Sequence, residues 1–175
     1  MRISIIGYSG SGKSTLAGKL GELYRIPVLY LDTVQFTAGW KERDRAEALT
    51  LVKAFMEQES WVIDGNYRSF AQEERLERSD RIIFLNIPRY ICLLRALKRY
   101  VQNRGKTRAS MAEGCEEKLD FEFVKWILID QRSREIRRHM REITEKYPEK
   151  MLEVRNKKQL EYLLKRLAGE KKNRL

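Results

Sequence analysis

Residues 7–14 read GYSGSGKS, with Thr15 next, and fit the pattern G-x-x-x-x-G-K-[ST], the Walker A or P-loop motif. A short apolar run precedes the motif and a helical pattern follows it, which is the setting the motif requires. The chemistry of so bare a loop belongs to its backbone. Glycines let successive N–H groups across Gly7, Ser9, Gly10, Ser11 and Gly12 turn inward and form a concave anion site. The helix N-terminus behind it adds a dipole that favours negative charge. Lys13 would reach the β- and γ-phosphates of a nucleoside triphosphate, the Ser14 hydroxyl would ligate Mg²⁺, and Thr15 would donate to the inner phosphate. The plainer alternative is a glycine-rich turn that caps a helix.

Two acids join this loop. In WVIDGNYRS an apolar run ends at Asp64, and in VLYLDTVQF another ends at Asp32. Ligands of an open parallel sheet sit beyond the carboxyl ends of its strands, so both acids and the glycine loop belong to one crevice. Asp64 could hold Mg²⁺, often through water, as a Walker B group does, although Asp-Gly is also a common turn. Asp32 could take a proton from an acceptor hydroxyl or help place the metal; its alternative is a helix N-cap.

Positive charge is the third component. Between Arg89 and Arg108 there are seven Lys and Arg and no Asp or Glu, with Arg104 and Arg108 flanking Lys106. Leu128, Arg132, Ile136 and Met140 step by four, which predicts one helix face with an arginine inside an apolar stripe. Such a cation needs an anion, because a buried unpaired charge costs several kcal/mol, on the order of a broken buried ion pair. A phosphate oxygen or a neighbouring Glu would serve. Phosphoryl transfer uses guanidinium groups in this way against the charge on the moving group.

The elements that must position these groups are legible as alternating patterns. Short runs rich in Ile, Val and Leu occur at 3–6, 28–31, 61–63, 82–85 and 151–154, and they predict strands covered on both faces. Between them Leu16, Leu20 and Leu23 recur at helical spacing, as do Ala48, Val52 and Phe55. Leu94, Leu97 and Val101 do the same, and so do Leu160, Leu164 and Leu167. The expectation is an α/β fold with a mainly parallel five-stranded sheet, built as one domain over residues 1–175. Residues 103–118, with Gly105 and Gly114, lack periodicity and form a long loop of the kind that is usually functional or mobile.

Bulk properties narrow the classes. The net charge of +11 attracts polyanions without choosing among nucleotides, nucleic acid and membrane surfaces. Cys92 and Cys115 are too few and too isolated for a disulfide framework or a thiolate zinc site. No run of about 18 apolar residues occurs, so neither export nor membrane spanning is expected, and the expected location is the reduced cytoplasm. His139, beside Arg138 on a basic helix, reads as a surface residue.

These motifs resemble those of the P-loop nucleoside and nucleotide kinases. VIDGNYR is similar to the Asp-Gly-Phe-Pro-Arg segment of adenylate kinases, matching it at Asp64, Gly65 and Arg68. Asn66 and Tyr67 replace Phe-Pro, which argues against an adenylate acceptor. A closer resemblance covers almost the whole chain. GYSGSGKST, LD at 31–32, WVIDGNY, RIIFLNIPR, NRGKTRASMAEGCEEKLDFEFVKWI and RSR at 132–134 resemble the bacterial DNA topology modulation protein family, small adenylate-kinase-like P-loop proteins. The resemblance implies a three-layer α/β/α P-loop NTPase fold with strand order 2-3-1-4-5. It also implies a mobile lid over about 103–118 that closes over ATP. Some adenylate kinases hold that lid with four cysteines and zinc; only Cys115 stands here, so no zinc is expected. Arg155, in the turn after Val154, corresponds in position to an adenine-side loop.

The resulting expectation is an ATP- and Mg²⁺-dependent phosphotransferase acting on a small-molecule, nucleoside or nucleotide acceptor. Lys13, Asp32, Arg104, Arg108 and Arg132 would be catalytic, with Ser14 and Asp64 holding the metal. The acceptor side would be built from Asp32, Phe36, Trp40, Arg43, Tyr67 and Arg68, its aromatic rings either stacking on a base or forming a small satellite core. The alternative is a DNA-associated ATP-binding protein or NTPase that influences DNA topology, supported by the charge; non-specific DNA binding that falls with salt is expected either way.

Overall fold

The computed structural model describes residues 1–103, 110–112, 114–115 and 119–172. Five strands form one parallel sheet: β1 (Arg2–Gly7), β2 (Val28–Tyr30), β3 (Trp61–Asp64), β4 (Arg81–Leu85) and β5 (Met151–Val154). Their spatial order is 2-3-1-4-5, the order expected of an adenylate-kinase-like sheet. The central strand carries Ile3, Ile5 and Ile6 at 0% exposure, and the equally buried Ser4 accepts from the Ser79 hydroxyl at 2.8 Å, so both of its faces are covered and the sequence shows no apolar-polar alternation. Register places Ile5 against Asp64 on one side and Ile83 on the other, and Tyr30 against Asp64. The ends of β1, β2 and β3 therefore meet at one level, where the glycine loop leaves β1.

Eight helices wrap the sheet among the described residues: α1 (Lys13–Tyr24), α2 (Leu31–Gln35), α3 (Arg45–Met56), α4 (Gln72–Arg78), α5 (Arg89–Gln102), α6 (Phe121–Leu128), α7 (Arg134–Lys146) and α8 (Lys157–Lys172). Helix α1 presents Leu16, Ala17, Leu20 and Gly21 to the sheet. Helix α3 begins at Asp44, whose carboxylate accepts from the amides of Ala46 and Glu47 at 2.9 and 3.0 Å and so satisfies two orphan donors.

Two expectations are corrected here. The run at 28–31 ends as a strand at Tyr30, and Leu31 opens α2 with Leu31 and Val34 buried. Asp32 thus stands in the first turn of a helix rather than at a strand end, and Tyr30 occupies the cap position. Leu128, Arg132, Ile136 and Met140 do not share a helix face. Helix α6 stops at Leu128, a 3₁₀ turn covers Asp130–Arg132, and Ser133 restarts the helix by accepting from the Ile136 amide. A serine hydroxyl at that point competes for backbone donors and favours a helix start over its continuation.

The core has two parts. The larger packs β1, β4 and β5 against α1, α5, α7 and α8. The smaller joins Leu31, Val34, Ala48, Val52, Met56, Trp61, Ile63 and Phe70 beneath α2 and α3. On α5 the buried residues are the small Cys92 and Ala96, whereas Leu94, Leu97 and Val101 lie exposed. Among the described residues no helix is long and apolar enough to cross a membrane.

Candidate active site

The loop from β1 to α1 folds back so tightly that it touches α5. Gly10, at φ +77°, is so close to α5 that a Cβ there would lie 2.4 Å from the Cys92 carbonyl oxygen. Gly12, at φ +98°, occupies the cap position of α1 and supplies no side chain to it; no acid lies in the first turn. The first amides of α1 are thereby left to an external anion, with the positive end of the helix behind them. Lys13 Nζ donates to the Tyr8 carbonyl at 3.2 Å, bridging the loop it would leave for a phosphate. The amides of Ser9 and Ser11 do not face this cradle. Ser9 N–H donates to Gln131 Oε1 at 2.6 Å, and Ser11 N–H donates to the Tyr8 carbonyl at 3.0 Å. They shape the loop instead of lining it with donors.

Beside the loop, Asp64 closes β3 at 4% exposure and is followed by a turn that a single buried cation holds. Arg75 of α4 is 0% exposed; its Nε donates to the Phe70 carbonyl at 2.8 Å, Nη2 to that of Tyr67 at 2.8 Å and Nη1 to that of Gly65 at 3.4 Å. Burial pulls its pKa down to about 10, and the nearby Asp64 carboxylate opposes that shift. Asn66 is fixed by its neighbours as well. Its amide accepts from Gly7 N–H at 2.9 Å and donates to the Gly7 carbonyl at 2.6 Å, tying the turn to the start of the glycine loop. Gln72 donates to the Asn66 carbonyl at 3.1 Å, and His139 Nε2 lies 2.7 Å from Gln72 Oε1.

Tyr67 projects from the same turn and donates its hydroxyl to Asp32 Oδ1 at 2.8 Å. Burial and the Asp32 carboxylate push the Tyr67 pKa far above its ordinary range, so it remains a neutral donor. Asp32, Asp64, Tyr67 and Arg68 all border one cavity of about 1420 Å³ that runs along the glycine loop from Gly7 to Thr15. Phe36 and Trp40 form another wall, edge to face with centroids 5.2 Å apart. His139 also lines this cavity; it is half-buried, which corrects the expectation of a surface residue.

Other expected groups lie elsewhere. Arg132 is absent from the cavity wall. Its guanidinium lies 3.7 Å over the Tyr8 ring and donates to the Ile87 carbonyl, bracing the glycine loop from behind. Arg155 makes paired contacts of 3.0 and 2.8 Å to Glu153 and stands outside the cavity. Arg43 turns away too, with Nε on the Val34 carbonyl at 2.9 Å and Nη1 on Glu47. Arg104 and Arg108, with most of the expected lid, lie outside the described residues. Of that segment, Cys115 is placed: its thiol donates to the Thr37 carbonyl at 3.3 Å and accepts from the Trp40 amide at 3.3 Å.

Further groups that the sequence pattern does not mark position the loop and the turn. Arg95 donates from Nη1 to the Ser11 carbonyl at 2.5 Å, and Trp126 donates to the Ser9 hydroxyl at 3.2 Å. With Arg75, Asn66, Gln72 and Gln131, these residues hold the loop and the turn from elements as much as 122 positions apart in sequence. The basic run around Arg95 was visible in the sequence; the long-range amide and guanidinium contacts carry no local signature.

No protein-family model and no curated sequence matches the chain. Solved structures do match in shape. A shikimate kinase from Acinetobacter baumannii, in complex with shikimate, aligns with a TM-score of 0.59 at 18% identity, covering 99% of this chain and 94% of that one. The shikimate kinase from Aquifex aeolicus aligns at 0.50 and 21% identity, covering 99% and 98%. At such identities the likeness speaks to architecture: the chain has the α/β P-loop kinase-like fold, with its glycine loop at the carboxyl end of the central strand.

Proposed function

We propose that this chain is a phosphotransferase that moves the γ-phosphoryl group of ATP to a small-molecule acceptor. The observation that carries the reading is the convergence of an uncapped α1 N-terminus, Lys13, Asp32 and Asp64 on one cavity. The residues present fit both ligands. Gly12 leaves the α1 N-terminus without a side-chain cap, and Ser14 and Asp64 supply the oxygen donors a hard divalent cation prefers. Mg²⁺ held there would neutralise charge on the phosphates. Lys13 would exchange the Tyr8 carbonyl for a phosphate oxygen, while the amides of Gly12, Lys13, Ser14 and Thr15 face the polyphosphate. Asp32, oriented by Tyr67, stands on the acceptor side, and Arg68 borders the same space. Arg104 and Arg108 complete the reading as lid cations, and Arg132 contributes by fixing Tyr8 rather than by touching phosphate. The chain works in this reading as one domain in the cytoplasm. The sequence likeness to the DNA topology modulation proteins agrees with nucleotide use and leaves the acceptor open.

The test is a screen of nucleosides, nucleotides and small alcohols with γ-labelled ATP and Mg²⁺, beside Lys13→Ala. The expected result is transfer to at least one acceptor that Lys13→Ala abolishes while the folded spectrum persists. Tight ATP binding with no transfer, and with a DNA affinity at physiological salt that ATP changes, would move the reading to a DNA-associated ATP-binding protein. Turnover unaffected by Lys13→Ala would remove the loop from the chemistry.

A further inference from the structure

The two halves of the cavity differ in charge. Among the described residues five of its cations stand on α1 and α5: Lys13, Lys19, Arg95, Lys98 and Arg99. Arg95 touches the glycine loop through the Ser11 carbonyl, and the carboxylates of Asp120, Glu122 and Asp130 border the cavity as well. The acceptor half, built by β3, α2, the antiparallel pair of 36–37 with 41–42, the 65–68 turn and α7, has among the described residues one cation, Arg68, beside the carboxylates of Asp32 and Asp64. Arg68 is itself 3.7 Å from Glu135. Arg43, the second arginine the sequence puts on this side, is bound to Val34 and Glu47 and faces away. His139 is held toward its neutral form by burial and by Arg68, with Glu142 and Glu135 opposing, and is engaged by Gln72. Tyr30, Phe36, Trp40, Tyr67, Ile136 and Met140 also border the cavity.

A phosphate monoester brings close to two negative charges and needs several donors or cations. Here, with Asp64 engaged by the divalent cation, it would meet the Asp32 carboxylate and a single arginine, Arg68, whose contact with Glu135 is exposed. An uncharged alcohol meets no such conflict. Asp32 Oδ1 is taken by Tyr67, and among the described residues no donor reaches Oδ2. That oxygen is open to a hydroxyl proton. Trp40 supports a ring-shaped acceptor. It holds φ +65°, a costly backbone state for an aromatic residue, and its amide is fastened to Cys115 Sγ at 3.3 Å. Its indole meets the Phe36 ring edge to face, centroids 5.2 Å apart, in the wall.

Resting on the phosphotransferase reading, we infer that the acceptor is an uncharged, ring-bearing alcohol such as a nucleoside or cyclic polyol, and not a phosphate monoester. In the step this assigns, the acceptor oxygen forms a bond to the γ-phosphorus as the bond from that phosphorus to the β,γ-bridging oxygen breaks. The hydroxyl proton passes to Asp32 Oδ2, and ADP leaves with the bridging oxygen.

The experiment has two stages. Binding of a non-hydrolysable ATP analogue with Mg²⁺ is measured first by calorimetry; its absence would overturn the phosphotransferase reading itself. With the analogue bound, nucleosides and cyclic polyols are titrated against their own monophosphates, and kcat/KM is measured for each pair with ATP. The expected result is a preference for the uncharged member of about tenfold or more, on the order of 1.4 kcal/mol. Asp32→Asn should lower kcat about 10²–10⁴-fold while analogue binding, which reports the fold, is retained. Preference for the monophosphate or for a hydroxy acid would overturn the inference. So would an Asp32→Asn enzyme of unchanged kcat, or analogue binding with no alcohol bound or phosphorylated.

Discussion

Replacing Arg75 with methionine tests whether one buried guanidinium holds the acceptor turn. The residue is 0% exposed and its acceptors are three carbonyls, those of Gly65, Tyr67 and Phe70, at 3.4, 2.8 and 2.8 Å. Methionine fills most of the volume and donates nothing. Each buried carbonyl left without a donor costs about 1–3 kcal/mol, and the two short contacts dominate. The opposing effect is that methionine need not desolvate a cation, which returns a few kcal/mol. Because the turn is anchored by Asn66 to Gly7 and by Gln72, it cannot swing its carbonyls to water cheaply. The unsatisfied carbonyls should therefore prevail, for a net loss of about 3 kcal/mol. In a chain of this size that lowers the melting temperature by about 6–12 °C. Calorimetry or circular dichroism melts measure it, and hydrogen exchange at 65–70 locates it. Released from Arg75, Tyr67 and Arg68 should lose their register, so kcat/KM for the acceptor falls while ATP-analogue affinity holds. Arg75→Lys, with one point donor instead of a fork, should lie between. A methionine variant that melts at or above the parent, with residues 65–70 still protected, would show that the guanidinium is a net cost and that other contacts hold the turn.

Gly10→Ala should be among the most damaging small changes in the chain. The new methyl meets the Cys92 carbonyl at 2.4 Å and sits at φ +77°, so either the loop or α5 must move. A loss of several kcal/mol in urea stability, of the order of overpacking plus strain, is expected together with ATP-analogue binding; a variant of parental stability and affinity would refute the tight contact. Tyr67 gives a prediction at alkaline pH. Its raised pKa means the native state keeps a proton that the unfolded chain loses above about 10, so its contribution is full below that pH and declines above it. Arg75, lowered to about 10, acts in the opposite sense between about 10 and 12.5. Tyr67→Phe should flatten the decline between about pH 9 and 11 in urea midpoints; parallel profiles for variant and parent would contradict the assignment.

Strand runs and glycine spacing made much of this molecule legible before any coordinates. The reason is that both signals are local. A strand covered on both faces must be largely apolar, as Ile3, Ile5 and Ile6 are around the hydrogen-bonded Ser4, and a loop whose amides surround an anion must place glycine at fixed intervals. The five strands were accordingly readable to within a residue or so, while the short α2 and the break at 129–133 were not. Leu31 is apolar in a strand or a helix alike, and Ser133 is a helix start only once α6 has turned away.

Proximity lies beyond any local pattern. The sequence put Arg132 on a helical stripe; tertiary packing laid it over Tyr8. It put Arg43 beside the acceptor, and Glu47 with the Val34 carbonyl drew it off. It gave no hint that Asn66 would clasp Gly7, that Arg75 would be sealed among carbonyls or that Cys115 would fasten Trp40, because those partners are separated by up to 75 positions. The residue types alone set a glycine loop and two carboxylates at one crevice. Which cations share the cavity and which are spent on carbonyls and acids was decided only by folding, since a charged side chain takes the nearest partner that the packed backbone presents.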